Sequence, residues 1–146
     1  MSNMSLTNCG CVLEGTVVRT GRGNEKIERV CIFDTIVSPL GGCVAVRNTW
    51  KGIESRLLEI KTENGKTLSL THNHPVLSGG TTVSAEQLKA GDLILTASGE
   101  EKVVDISEKS GDFKVLNLDV EKSAFYANGI AVGDNGVQNG KKLSYD

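Results

Sequence analysis

Three groups of residues in this 146-residue chain have side chains and spacing suited to breaking and remaking peptide bonds. Cys11 opens the run CVLEGT directly after Gly10, and a thiolate there can attack the carbonyl of the residue before it. Thiolate is an intrinsically strong nucleophile, and dividing one amide cleavage into two acyl transfers is the usual gain of covalent catalysis. Gly10 leaves that carbonyl unshielded. The packing alternative is just as concrete, because free cysteine is among the most buried residue types and behaves as a small hydrophobe.

The second group is LTHNHPVL, residues 70–77, which holds both histidines of the chain. Thr71 and His74 fall three residues apart around a turn. A histidine can protonate a departing amine near neutral pH, while a hydroxyl and loop amides can donate to a developing oxyanion. An ordinary turn before Pro75 with a structural histidine reads the same way. The third group closes AFYANGIAVGDNGVQ, where Asn135 precedes Gly136. Asparagine before glycine is the least hindered arrangement for the side-chain amide to attack its own main-chain carbonyl, which forms a succinimide and breaks the chain. The same pair is a common turn signal, and Asn64, Asn128 and Asn139 also precede glycine.

Zinc is the rival use of Cys9, Cys11, Cys31, Cys43, His72 and His74. Structural zinc sites usually pair ligands across about two to four intervening residues. Here Cys9/Cys11 and His72/His74 have a single residue between them. Strand alternation alone puts residues i and i+2 on one face, so no metal or other cofactor is expected. Cys9 has three readings: a bystander, a competing thiol, or a disulfide partner that silences Cys11. Cys31 and Cys43 are read as core or loop residues.

The elements that must position these groups are short apolar runs between glycine-rich turns, with 17 glycines against two prolines. Residues 56–71 carry the strongest hairpin signal: Leu58 and Ile60 alternate with Glu59 and Lys61, Asn64-Gly65 supplies the turn, and Leu68 and Leu70 alternate with Thr67 and Ser69. Further short strands are predicted at 16–20, 43–50, 93–96, 103–106 and 114–120, the last with Leu116, Leu118 and Val120 on one face. One helical turn is predicted at 84–89, capped by Ser84, anchored by Leu88 and ended by Gly91. This pattern argues an all-β domain. The tail after Asn135 is polar and reads as flexible.

Composition sets the outer limits. Hydrophobic residues at 38% and charged ones at 23% are close to the globular average, which speaks against disorder or a membrane protein. A net charge of -2 gives no basic footprint, so nucleic acid is not an expected partner. The first ten residues lack the basic start and apolar centre of a secretion signal, and no apolar stretch has the length of a membrane span. The compartment stays open, and a monomer is expected.

Taken in order, the segments resemble the Hint superfamily of inteins, hedgehog autoprocessing domains and bacterial intein-like domains. CVLEGTVV (11–18) is similar to the family's first block, GKTLSLTHNHPVL (65–77) to its Thr-x-x-His block, AEQLKAGDLIL (85–95) to its Leu-x-x-Gly-Asp segment, and VLNLDVEKSAFYANGIAVGDN (115–135) to its terminal block. The resemblance implies a mostly β horseshoe with pseudo-twofold symmetry, few or no helices, and the domain's two ends beside the Thr-His loop. It divides the chain into a flank at 1–10, the domain at 11–135 and a flank at 136–146.

For chemistry, the resemblance implies an N-to-S acyl shift at Cys11, with Thr71 and His74 supplying strain, oxyanion support and a proton for the departing amine. The partners implied are the flanking polypeptide of the same precursor and an external amine or thiol that accepts the acyl group. The alternative is a folded module whose processing is slow or lost. Three departures stand out. The usual His-Asn ending followed by Cys, Ser or Thr is replaced by Gly133-Asp134-Asn135 before Gly136, which has no side-chain nucleophile. Asp134 stands where an aid to asparagine cyclisation belongs, and counting from FYANGIAV the terminal asparagine position falls on either Asn135 or Asp134. Asn117 stands where many relatives carry an aspartate. The polar tail speaks against sterol transfer of the hedgehog kind.

Overall fold

The structure is a computed structural model that describes residues 10–138, 140 and 142–145. Residues 1–9, with Cys9, and Asn139 lie outside the described residues, so the readings made for them are not addressed by it.

The described residues form twelve strands: β1 (Val12–Leu13), β2 (Val17–Thr20), β3 (Gly23–Lys26), β4 (Thr35–Val37), β5 (Cys43–Thr62), β6 (Thr67–Leu70), β7 (Pro75–Ser78), β8 (Thr81–Ser84), β9 (Leu93–Thr96), β10 (Gly99–Val120), β11 (Ala124–Ala127) and β12 (Ile130–Gly133). All pairings among them are antiparallel, in the order β11-β2-β4-β5-β6-β1-β10-β9-β12-β7-β8, with β3 on the side of β2. A further pairing of β11 with β12 closes this path on itself. The all-β reading is correct.

The hairpin predicted at 56–71 is present, with Leu58 opposite Leu70 and Ile60 opposite Leu68. Gly65 sits at φ +88° in its turn, a conformation that glycine adopts at no steric cost. The predicted strands at 43–50, 103–106 and 114–120 are instead parts of two long strands of 20 and 22 residues. β5 and β10 lie side by side from Thr62 opposite Val103 to Val46 opposite Val120. Gly52 and Gly111, which looked like punctuation, run through them. Register shifts at Ser110/Phe113 and Asp119/Val120 bend the ribbon. Each long strand begins beside one partner (β4 or β9) and ends beside another (β6 or β1), which is the pseudo-twofold plan in strand pairings.

The main core gathers Val18, Ile36, Val46, Ile60, Leu68, Leu118, Phe125 and Ile130. Leu116, Leu118 and Val120 are buried on their predicted face, but so are Val115 and Asn117 on the other. Val115 joins Leu57 and Cys11 in a second, smaller cluster flanked by Leu13 and Phe113. Fully burying a side chain such as Leu57 contributes about 1.5–3 kcal/mol, so this cluster fixes the segment that carries Cys11.

The predicted helical turn is a 3-10 turn at Ala85–Gln87. Ser84 N–H donates to Gln87 Oε1 at 3.3 Å, and Leu88 is buried behind it. The tail differs from its flexible reading. A short helix, α1 (Asn135–Gln138), follows β12 with Val137 buried. Leu143 and Tyr145 pack near Leu77 and Ala131, and Tyr145 N–H donates to Gly80 O at 2.8 Å. The few apolar letters of a polar tail are enough to seat it. Cys31 and Cys43 are exposed free thiols. Among the described residues no three His, Cys, Asp or Glu side chains are grouped to hold a metal ion.

Candidate active site

β1 lies between β6 and β10, with Val12 opposite both Leu70 and Leu116. Continuing each antiparallel register by one residue puts Cys11 across from Thr71 on one side and Asn117 on the other. The hydrogen bonds follow this placement. Cys11 N–H donates to Thr71 Oγ1 at 2.9 Å, and Thr71 N–H donates to Cys11 O at 2.9 Å. The Thr71 hydroxyl passes its own hydrogen to Asn73 Oδ1 at 3.1 Å, leaving a lone pair for Cys11.

On the other side, Asn117 Nδ2 donates to Gly10 O. Asn117 Oδ1 accepts from Leu118 N–H at 2.8 Å, so the amide is oriented with its donor toward that carbonyl. The peptide between Gly10 and Cys11 is thus held at both polar atoms. Asn117 has no solvent exposure. In the sequence it is only a departure from a family pattern, with no role attached to it. The usable signal was alternation: if residues 116, 118 and 120 face the main core, 117 faces the other way, toward Cys11.

His74 closes the turn after β6, its N–H donating to Thr71 O at 3.2 Å, and it is fully buried. Burial lowers its pKa to about 4, outweighing the carbonyls of Gly10 and Gly133, which raise it. The ring is therefore neutral at neutral pH. Nε2 stands 3.0 Å from Gly133 O, and a carbonyl can only accept, so the ring proton is assigned to Nε2. Nδ1 then carries a lone pair. It lies near the Gly10 carbonyl yet has no partner of hydrogen-bonding geometry, as expected of two acceptors facing each other. A proton added at Nδ1 would turn that contact into a donated bond.

One imidazole thus reaches the carbonyls on both ends of the domain. The chain must come close for this. A Cβ at Gly133 would sit 3.0 Å from both Pro75 Cγ and Val137 Cγ1, so the glycine lets β12 lie against the Thr71–Pro75 turn.

The Cys11 sulfur is buried and is one half of a disulfide. A thiol must be released there before the sulfur can act as a nucleophile.

At the other end, Asp134 is buried, with Oδ2 accepting from Val120 N–H at 3.0 Å and Oδ1 from Val137 N–H at 3.1 Å. The second bond caps α1 in the manner of an N-cap aspartate. Asn135 begins α1 and is buried, with Gly136 after it. The structure therefore brings Gly10, Cys11, Thr71 and His74 together and adds Asn117. Asp134 and Asn135 meet this group through the Gly133 carbonyl.

Residues 17–141 match a family model described as the pretoxin Hint domain, a span that begins after Cys11. The fold is similar to that of the gp41-1 intein (TM-score 0.79, 22% identity, covering 86% of this chain and 98% of that one). It is also similar to a bacterial intein-like domain from Clostridium thermocellum (TM-score 0.77, 22% identity, 90% and 100% covered). A DnaB intein from Synechocystis sp. PCC 6803 follows (TM-score 0.76, 18% identity, 86% and 98% covered). At these identities the likeness is one of fold. No curated protein matches the chain.

Proposed function

Because this chain belongs to the pretoxin Hint domain family and has the fold of inteins, we propose that it processes its own polypeptide, by an N-to-S acyl shift at Cys11. The observation that carries this reading is the grip on the Gly10–Cys11 peptide, with Asn117 on its oxygen and Thr71 on its N–H.

The step proceeds from the reduced thiol. His74 Nδ1 takes the thiol proton, and Cys11 Sγ attacks the Gly10 carbonyl carbon. Negative charge grows on Gly10 O, where the Asn117 amide already points; one such donor is worth about 3 kcal/mol in comparable sites. The C–N bond breaks, the proton passes from His74 to the Cys11 nitrogen, and a thioester joins Gly10 to Cys11 Sγ. A neutral imidazole suits this relay, because a ring already protonated could not accept the thiol proton. Water, an amine or a thiol then takes the acyl group and releases the segment ending at Gly10.

Release on the other side is the weaker extension. The Asn135 amide nitrogen would attack its own carbonyl and free the amine of Gly136, which could then aminolyse the thioester and join the flanks. Gly136 offers no side chain for transesterification. The second reading, a folded module with slow processing, is favoured by one observation: the Cys11 sulfur is held in a disulfide.

Intact mass against time separates the two, for the full chain with and without a phosphine reductant and hydroxylamine, beside Cys11→Ala. Self-processing predicts a 1–10 fragment only after reduction, accelerated by hydroxylamine and absent from Cys11→Ala. A wild-type chain that stays whole when reduced and treated with hydroxylamine sinks the reading.

A further inference from the structure

We propose that the Lys109 ammonium, carried across β5 to Ser69, is the counter-charge that favours the Cys11 thiolate, so that Lys109 prepares the nucleophile without touching the bond that breaks. This inference rests on the acyl-shift reading above and names what sets its working pH.

The placement follows from strand register. Cys11 lies across from Thr71, and extending the pairing of Leu58 with Leu70 by one residue sets Thr71 across from Leu57. Leu57 is in turn paired with Lys109. Directly opposed residues share a face of the sheet, so Cys11, Thr71, Leu57 and Lys109 form one row on one side. The packing agrees, because Cys11 and Leu57 belong to the same buried cluster, with Leu13 and Phe113 against it.

The long side chain of Lys109 turns back along this row. Its Nζ donates to Ser69 Oγ at 3.1 Å and lies 5.8 Å from the centre of the Phe113 ring. Ser69 is buried, and continuing the register of β1 with β6 sets it opposite Leu13, two residues from Cys11. Diagonal neighbours across a strand pair stand about 7–8 Å apart, and this is the scale of distance over which the ammonium acts on the sulfur. The apolar walls around Cys11 lower the effective dielectric and offer a negative charge few dipoles, so a nearby cation counts for more there than at the surface.

The other charged groups on these elements do less or act in the opposite sense. Glu59 follows Leu57 on the same face of β5, opposite Ser69, and disfavours a thiolate. Asp119 follows Asn117 on β10 and has the same sign, with Oδ2 taken by Trp50 Nε1 at 2.8 Å. Lys61 stands one pair further along β5, opposite Thr67. His74, in the turn after β6, is neutral at neutral pH. Lys109 is thus the cation of the Cys11 row. In the step itself the thiol proton goes to His74 Nδ1 and the sulfur attacks the Gly10 carbonyl carbon, while Lys109 keeps its three protons and forms no new bond. A unit charge about 8 Å away, half screened by solvent, changes the thiolate fraction by roughly tenfold.

The test is the rate of amino-side cleavage of the full reduced chain in hydroxylamine, between about pH 6 and pH 9, followed by intact mass of the 1–10 fragment. Each variant is compared with the wild type at the same pH, which cancels the ionisation of hydroxylamine itself. Lys109→Gln keeps a donor for Ser69 and loses the charge. Its pH of half-maximal rate should rise by about one unit, with a loss of about tenfold below that point and an unchanged plateau above it. Lys109→Arg should restore the wild-type midpoint. Glu59→Gln should lower the midpoint by a few tenths of a unit, and because it leaves Lys109 in place it probes the same field if the lysine variants fold poorly. An unchanged midpoint in Lys109→Gln, or a loss equal at every pH that Lys109→Arg does not restore, makes Lys109 a structural residue and overturns this inference alone. A wild type that releases no fragment at any pH overturns the acyl-shift reading and this inference with it.

Discussion

At the amino-side junction, the Gly10–Cys11 peptide has a donor on its oxygen and an acceptor on its N–H, with a neutral imidazole beside it. At the carboxyl-side junction, Asp134 spends both carboxylate oxygens on backbone amides, and Asn135 is taken into the first turn of α1. The first arrangement suits the acyl shift proposed for that bond, whereas the second holds the segment after β12 in place. His74 touches both, through Gly10 and Gly133. The contrast predicts strong dependence of amino-side cleavage on residues around Gly10 and weak dependence on those around Asn135.

The sharpest way to break that comparison is Asn117→Leu, which keeps the branched outline of the side chain at somewhat larger size and removes the donor. Amino-side cleavage of the reduced chain should slow by about 10²- to 10³-fold, while Asn135→Ala should change it by no more than about threefold. Gel densitometry of the released fragment suffices for both. Equal effects from the two substitutions would mean that the junctions act as one site.

Much of this contrast could be read from the letters, for definite reasons. The hairpin of β5 and β6 announced itself through alternation and Asn64-Gly65, and that hairpin delivers Thr71. Cys11, Thr71 and His74 were visible as residue types suited to acyl transfer. What was hidden depended on pairing across the chain. β5 and β10 read as broken strands because their middle residues face solvent, and only their mutual pairing makes them continuous. Asn117 was hidden by success elsewhere: the apolar face of 116, 118 and 120 explained the strand without it. The seating of the tail rests on Val137, Leu143 and Tyr145, too sparse a set to make a pattern.

The histidine itself supplies the next test, read as stability in a Cys11→Ala background. An unfolded histidine takes up a proton below its ordinary pKa near 6.5, but buried His74 does not until about 4. Between those values the unfolded state binds more protons, so stability falls as pH falls. From pH 7 to pH 5 the loss attributable to His74 should be about 2 kcal/mol, measured by urea unfolding. His74→Gln should remove that part of the slope. A slope unchanged by the substitution would mean that the ring is protonated in the folded state, and the relay would then lack its base.

Thr71→Val comes next in size. It keeps the shape of the side chain but leaves the Cys11 N–H without its acceptor, which loosens the peptide plane rather than removing charge stabilisation. A loss of about tenfold in amino-side cleavage is expected, corresponding to about 1.4 kcal/mol, in single-turnover kinetics after reduction. A loss as large as that of Asn117→Leu would shift the main burden of the chemistry from the oxygen to the nitrogen side.

The smallest expected effect is also the most informative about the carboxyl side. Asp134→Asn keeps one oxygen acceptor and replaces the other by an NH₂ group, so either the α1 cap or the Val120 amide loses its partner. The stability cost should be about 1 kcal/mol, and amino-side cleavage should stay within about threefold, since the Asp134 carboxylate bonds the Val120 and Val137 amides. The carboxyl side should respond differently. His74 holds the carbonyl of Gly133, so the residue it places is 134, and an amide there can attack its own carbonyl as a carboxylate held by two N–H donors cannot. Cleavage between residues 134 and 135 should then arise in the variant and be absent from the wild type, visible as a new mass. If the new cleavage falls after Asn135 instead, the histidine does not set the position of the terminal amide. The asymmetry between the two junctions would then lie in the absence of a nucleophile at Gly136 rather than in the carboxylate at Asp134.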